Sequence, residues 1–226
     1  MTNSKQTNST PEIKTLFSTH VYKMKLLSPY TTLQKDLLSE SVHLQENDEQ
    51  GQEWSEKHYP NGFTSYASRD DLHYISATFR ELEEKTRVHV YEYAKELAYD
   101  LEGISLVMTD CWLNIMRAGS VHTGHIHPKS FISGTYYVQT PLEASGIRFE
   151  DPRLTNFMAC PPKSVSCSPE QANHFEITPE AGDLVLFESW LRHEVPPMTA
   201  DGERISVSFN YTWQESADIE KDLEGE

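Results

Sequence analysis

Cysteine is scarce in this chain of 226 residues: only Cys111, Cys160 and Cys167 are present. An odd number with no CxxC spacing argues against a disulfide framework and against a thiolate zinc site. The count points to a reduced, cytoplasmic protein, with a Cys160–Cys167 bridge as the lesser alternative. Long apolar runs are also lacking. None approaches the roughly 20 residues that span a bilayer, and the opening "MTNSKQTNSTPEIK" has no apolar stretch of the kind a secretory leader carries. No membrane partner is therefore expected. Basic residues are few, 19 Lys and Arg against 35 Asp and Glu, for a formal charge of −16. With no local basic patch, such a surface repels phosphate backbones, and nucleic acid is not expected as a partner. Internal repeats are absent too, which excludes a solenoid.

What is present suits a globular protein: 37% of residues are hydrophobic and 24% charged. A chain of this length can bury a substantial core without disulfides, and residues 1–226 read as a single domain. Residues 1–11 are rich in Asn, Ser and Thr, and residues 215–226, "ESADIEKDLEGE", carry six acids against one Lys. Both ends are expected to be disordered tails.

Between the tails the patterning changes in order. "IKTLFSTHVYKMKL" reads as an extended segment with a break, and "TTLQKDLLSESVHLQ" as a short amphipathic helix. "ISATFRELEEKTRVHVYEYAKELAYDL" is the clearest helix. Ile75, Phe79, Leu82, Tyr93, Leu97 and Leu101 recur in it at helical spacing, and Gly103 offers a stop. After Gly103 come short runs rich in β-branched and aromatic residues: "ISLVMTDCWLNIM", "SFISGTYYVQT", "GIRFE", "DLVLF" and "ERISVSFNYTW". Helices first and strands afterwards predict an α+β fold, an antiparallel β-sandwich or cupin-like barrel backed by helices. In the last run Ile205, Val207, Phe209, Tyr211 and Trp213 share one face, and Arg204, Ser206, Ser208, Asn210 and Thr212 share the other. The polar face either meets water or lines a cavity.

"GSVHTGHIHP" places His122, His125 and His127 within six positions. On a strand, side chains at i and i+2 point the same way, so His125 and His127 can bring two imidazoles to one point. Imidazole suits Fe, Zn, Cu or Ni and not Mg or Ca. His122 is out of phase with that pair and reads as a surface residue or as one behind the ligands. His193 lies just past the strand "LVLF" that leaves the "PEAGD" turn. Arg204, eleven positions later, stands on the polar face of the next strand, two residues from Ser206. A guanidinium there can hold a carboxylate through two parallel hydrogen bonds. A metal beside an anion clamp implies an acidic ligand that reaches both. Tyr136 and Tyr137 read as core or cavity wall, and Phe187 and Trp190 as packing residues.

The ordered runs "HIHPKSFISGTYYVQTP", "IRFEDPR", "PEAGDLVLFESWLRHEVPP" and "ERISVSFN", with "GFTSY" at 62–66 and "WLN" at 112–114, resemble the 2-oxoglutarate- and Fe(II)-dependent oxygenases. The branch most alike is one common in marine bacteria and their phages, and the likeness covers roughly residues 14–213. It implies a double-stranded β-helix (jelly-roll) core with supporting N-terminal helices. It also implies Fe(II) as the metal, and 2-oxoglutarate and O2 as cosubstrates for hydroxylation of an unidentified prime substrate. His125 and His193 become iron ligands, Arg204 holds the far carboxylate of 2-oxoglutarate, and Ser206, Asn114 and Tyr137 are further cosubstrate contacts. Oxygenases of this sort often pair through their N-terminal helices, so a homodimer is expected.

One position departs from the family pattern. Most such enzymes read HxD or HxE, whereas here the third ligand slot holds His127. Asp110, Glu150 and Asp151 are the alternative third ligands, ranked below it. A cupin-type metalloprotein that does not use 2-oxoglutarate is the other reading. "GSVHTGHIH" matches the first half of the cupin pattern but lacks its following Glu. His193, eleven residues after Gly182, is too far from that glycine for the second half.

Overall fold

The structure is a computed structural model and describes residues 10–153 and 158–216. Strand β1 (Val21–Lys25) opens the chain. Helices α1 (Thr32–Asn47) and α2 (Glu49–His58), strand β2 (Gly62–Thr64), and helices α3 (Leu72–Ile75) and α4 (Ala77–Glu96) follow. Apart from a short 3-10 helix at Pro169–Gln171, the remaining elements are strands: β3 (Ile104–Met116), β4 (His122–His125), β5 (Ile132–Gln139), β6 (Ile147–Glu150), β7 (His174–Ile177), β8 (Asp183–Glu188), β9 (His193–Val195) and β10 (Arg204–Glu215). The strands form a six-stranded sheet in the order β1-β8-β5-β10-β3-β2 and a four-stranded sheet in the order β4-β9-β6-β7, with every strand pair antiparallel. This is the expected α+β architecture, a double-stranded β-helix with helices supplied from the N-terminal half. Among the described residues no helix is long and apolar enough to cross a membrane. All three cysteines are free.

Local chemistry sets the helix boundaries. Thr31 Oγ1 accepts from the Gln34 amide to start α1, and Asp48 Oδ1 accepts from Gly51 to start α2. The long helix expected from Ile75 to Leu101 is shorter at both ends. Ser76 interrupts it, because its hydroxyl accepts from the Thr78 and Phe79 amides and caps α4. Its end comes before Gly103: Ala98 takes φ +61°, and the Tyr99 amide bonds back to Ala94 O. Tyr99 is held there by tertiary contacts, its hydroxyl on Glu188 at 2.9 Å and its ring edge-on to Phe131. Gly103 (φ +70°) instead sits in the turn that leads into β3. At the C-terminal end the strand outlasts expectation. Glu215 still pairs with Ile104, and the Ser216 amide donates to Gly103 O at 2.8 Å, so the expected tail cannot begin at 215. Thr10 and Pro11 have no regular structure, and the rest of both expected tails, 1–9 and 217–226, lies outside the described residues.

The main core lies between the helices and one side of the six-stranded sheet. Leu33 and Leu37 of α1 and Phe79, Leu82, Val90 and Tyr93 of α4 pack on Leu113, Ile115, Ile205, Val207, Phe209 and Tyr211. A second apolar cluster, including Ile147, Phe149, Val185 and Phe187, fills part of the space between the sheets. Phe187 packs as expected, but Trp190 does not. It stands 47% exposed at the corner where the Leu191 amide turns back to Glu188 O. Tyr136 belongs to the helix-side core, and Tyr137 points between the sheets, where the remaining space is a cavity.

Candidate metal centre

His125, at the end of β4, pairs directly with His193 at the start of β9, which sets their ring centroids 4.4 Å apart. His127 lies beyond the end of β4, so simple strand alternation does not aim it. Its amide donates to Ser189 O at 2.9 Å, and this brings its ring to 5.1 Å from both other histidines. One ring nitrogen from each of the three lies within 4.8 Å of the others.

The second nitrogen of each ring is already engaged. His125 Nδ1 is 2.7 Å from Thr123 O, His193 Nδ1 is 2.9 Å from Leu191 O, and His127 Nδ1 is 2.6 Å from Asn210 Oδ1. These oxygens can only accept, so each Nδ1 carries the proton and each Nε2 keeps its lone pair for a metal. Burial, helped by neighbouring His125, lowers the His193 pKa to about 3. Burial also lowers that of His127, against the pull of the Asn210 bond. Neutral imidazole is the form a metal needs. The donor set therefore fits a borderline metal such as iron.

The three alternative acids stand apart from this group. Glu150 is bound by Arg192 at 2.9 Å and Asp151 by Arg153 at 2.8 Å. Asp110 Oδ2 accepts from Asn210 Nδ2 at 3.1 Å and from Thr109 Oγ1 at 2.7 Å.

Arg204 opens β10 at the far end of the same cavity and is 3% exposed. Its guanidinium lies over the Tyr137 ring, 4.9 Å from the centroid, and Nη1 faces Met116 Sδ. Among the described residues no carboxylate lies within 4.0 Å of it, and Nε has no partner. Asn114 Oδ1 and the Tyr137 hydroxyl also lack partners, and buried Ser206 adjoins them. A buried guanidinium without a counter-ion costs several kcal/mol. The guanidinium and the Tyr137 and Ser206 hydroxyls can donate to an anionic ligand such as the far carboxylate of 2-oxoglutarate, whereas Asn114 Oδ1 can only accept.

His122 is half-buried and lines the cavity. A register shift between His122 and His125 puts both on the cavity side of β4. Its ring meets Tyr59 edge-on at 4.6 Å. Burial, followed by the Arg204 charge, lowers its pKa to about 3. Sequence reasoning missed Trp54 and Tyr59, since nothing in the pattern marked α2. It placed Asn210 on the polar face but gave it no role.

The cavity that joins the two ends holds about 630 Å³. Trp54, Tyr66, Val121 and Ile126 line it and are themselves exposed, which makes its mouth apolar. In a chain with 35 acids, Asp110 is the one acid among the described lining residues, where Arg204 and Lys129 are the cations.

Residues 110–210 match the family model described as "Putative 2OG-Fe(II) oxygenase". No curated protein matches the chain in sequence. Several solved structures share the fold. The non-heme alpha ketoglutarate dependent epimerase SnoN from nogalamycin biosynthesis superposes with a TM-score of 0.60 at 13% identity, over 86% of this chain and 79% of that one. A Pseudomonas putida prolyl-4-hydroxylase gives 0.53 at 14% identity, over 85% and 92%. HygX from Streptomyces hygroscopicus, solved with nickel and 2-oxoglutarate bound, gives 0.52 at 14% identity, over 86% and 83%. At such identities the likeness establishes the jelly-roll architecture, while the family match spans all three clustered histidines and Arg204. Over residues 110–210, then, this chain is similar to the 2OG-Fe(II) oxygenase family.

Proposed function

We propose that the protein is an Fe(II)- and 2-oxoglutarate-dependent dioxygenase that hydroxylates a prime substrate held in the outer part of the cavity. One observation carries this reading: a buried guanidinium that has no counter-ion among the described residues shares one cavity with three histidines, each holding Nδ1 on an oxygen and leaving Nε2 for a metal. His125, His127 and His193 hold the iron. Arg204 and Ser206 bind the far carboxylate of the cosubstrate, and Asn114 and Tyr137 complete its polar lining. Iron and 2-oxoglutarate, when bound, supply the oxidising chemistry, with O2 consumed and succinate and CO2 released. The chain's own part is to orient the cosubstrate, keep the imidazoles neutral and exclude water. Three imidazoles add no charge, so Fe(II) with the 2-oxoglutarate dianion makes a neutral site where a carboxylate ligand would leave it anionic. The aromatic mouth takes the prime substrate. A cupin that does without 2-oxoglutarate would leave Arg204 buried to no purpose. The same reading assigns the protein to a reducing cytoplasm, in keeping with its three free cysteines. It also has two copies pairing through the N-terminal helices, which light scattering checks.

Anaerobic addition of Fe(II) and 2-oxoglutarate should produce a weak charge-transfer band near ~500 nm. Arg204→Ala should weaken 2-oxoglutarate binding by at least about tenfold, as expected for loss of a bidentate carboxylate pair, and leave metal affinity intact. Tight metal binding with no band, or unchanged 2-oxoglutarate affinity in the variant, would sink the assignment.

A further inference from the structure

We propose that Asp110 and Asn210 are a positioning pair for His127, supplying from two hydrogen bonds away the anionic support that the third ligand slot lacks. This rests on the reading of His125, His127 and His193 as the metal site. The three histidines differ in what holds them. His125 and His193 each donate Nδ1–H to a backbone carbonyl, of Thr123 and Leu191. His127 donates to a side chain, Asn210 Oδ1, at 2.6 Å. Asn210 is 6% exposed and stands directly opposite Asp110 in the β10–β3 register, where the ladder shifts by one residue.

Its amide orientation is fixed from three sides. Oδ1 accepts from His127 and from Ser133 Oγ at 2.8 Å, and Nδ2 donates to Asp110 Oδ2 at 3.1 Å. The reversed amide would turn its NH2 toward Ser133 Oγ and His127 Nδ1 and its oxygen toward a carboxylate. Ser189 holds the other side of His127: its carbonyl accepts the His127 amide, and its hydroxyl bonds Ser133 Oγ at 2.8 Å. One connected network thus grips both backbone and ring of this histidine, and it ends on an anion.

The physical consequence has two parts. The network fixes the ring plane and the Nδ1–H tautomer, so Nε2 faces the other two histidines. The carboxylate also polarises the amide, which pulls on Nδ1–H and makes Nε2 a stronger donor. An acid that is not itself a ligand thereby replaces part of the electron donation that a carboxylate ligand would give.

Co(II) affinity and the Co(II) absorption spectrum test this without turnover. Asn210→Leu should lower Co(II) affinity by about 10–100-fold, the usual cost of losing such an outer partner. Asp110→Asn keeps the shape and one acceptor oxygen, enough for the bonds from Asn210 and Thr109, but replaces the other oxygen with NH2 and removes the charge. It should lower affinity by a few-fold, at the bottom of that range, shift the visible bands and leave the melting temperature of metal-free protein unchanged. If Asn210→Leu does not fold, Asp110→Asn decides alone. Wild-type protein that binds Co(II) while Asp110→Asn binds it equally with the same spectrum would overturn the pairing and leave the metal site standing. His127→Ala with undiminished affinity would overturn it as well, since His127 would not be a ligand. Wild-type protein that fails to bind Co(II) would overturn the metal reading and this inference with it.

Discussion

On the side of the sheet that faces the helices, β10 presents Ile205, Val207, Phe209 and Tyr211, each 0% exposed. On the opposite side it presents Arg204, Ser206 and Asn210, at 3%, 2% and 6%. Burial is nearly equal, but the chemistry is opposite. The first side is closed by packing, with every apolar surface meeting another. The second holds polar groups, several of them without partners, around a cavity. A folded protein tolerates such a face at a cost of a few kcal/mol, and a bound ligand recovers it. The difference separates what stabilises this protein from what makes it useful, and each side can be perturbed alone.

The largest effect is expected on the helix side. The Phe209 ring lies against Gly134, where a Cβ would come within 2.4 Å of it, and edge-on to Tyr211. Phe209→Ala removes that ring from a site with little room to relax, and should cost about 3–5 kcal/mol. Urea unfolding reads this as a lower midpoint. Metal affinity of the folded variant should stay within about twofold of wild type, because β10 still presents Asn210 to His127. Joint loss of both would mean that the two sides are not separable.

Acid should act on the cavity side. The His193 pKa is lowered to about 3, first by burial and then by His125, whereas the unfolded chain titrates near the ordinary value of about 6.5. As pH falls through that value, the unfolded state takes up a proton that the folded state refuses. Stability of the metal-free protein is therefore whole above about pH 7 and declines from there toward pH 3. His193 alone should remove on the order of 2 kcal/mol by pH 5. Unfolding curves at pH 7.5 and 5 measure the decline, and His193→Gln should make it shallower by that share while His122 and His127 keep theirs. The cost of Phe209→Ala should be the same at both pH values. A wild-type curve with no slope in this range would contradict the buried, neutral histidines.

How much of this could be read beforehand follows the same division. The alternation of β10 exposed both faces in the sequence, and the helical spacing of Phe79, Leu82 and Tyr93 marked the main core. That His125 and His193 come together, with Arg204 on the same cavity, could be anticipated because metal and carboxylate chemistry restrict residue type. The breaks were less legible. Ser76 and Ala98 bound α4 through a cap and a left-handed turn, which apolar periodicity does not register. His122 looked out of phase because a bulge is invisible in a single strand's alternation. Asn210 was placed on the right face, but its role depends on Asp110, 100 residues earlier, and only the pairing of β10 with β3 brings them together.

A stability effect smaller than that of Phe209→Ala or of acid should come from Asn114→Ala. Asn114 is 4% exposed, donates Nδ2–H to Ser208 Oγ at 3.1 Å, and leaves Oδ1 without a partner. Alanine deletes one hydrogen bond, worth about 1 kcal/mol, together with an orphaned acceptor that costs a similar amount, so the net change should be within about 1 kcal/mol of zero. An ordinary core asparagine with both ends satisfied would lose more. If 2-oxoglutarate sits where Arg204 implies, the amide turns over on binding, Oδ1 accepts from Ser208 Oγ and Nδ2–H donates to the cosubstrate, whose affinity should fall by about three- to tenfold in the same variant. Isothermal titration beside a thermal melt gives both numbers. Near-zero stability loss with weakened cosubstrate binding is the signature of a polar face kept for a ligand. A loss of 2 kcal/mol or more with unchanged binding would return Asn114 to the fold.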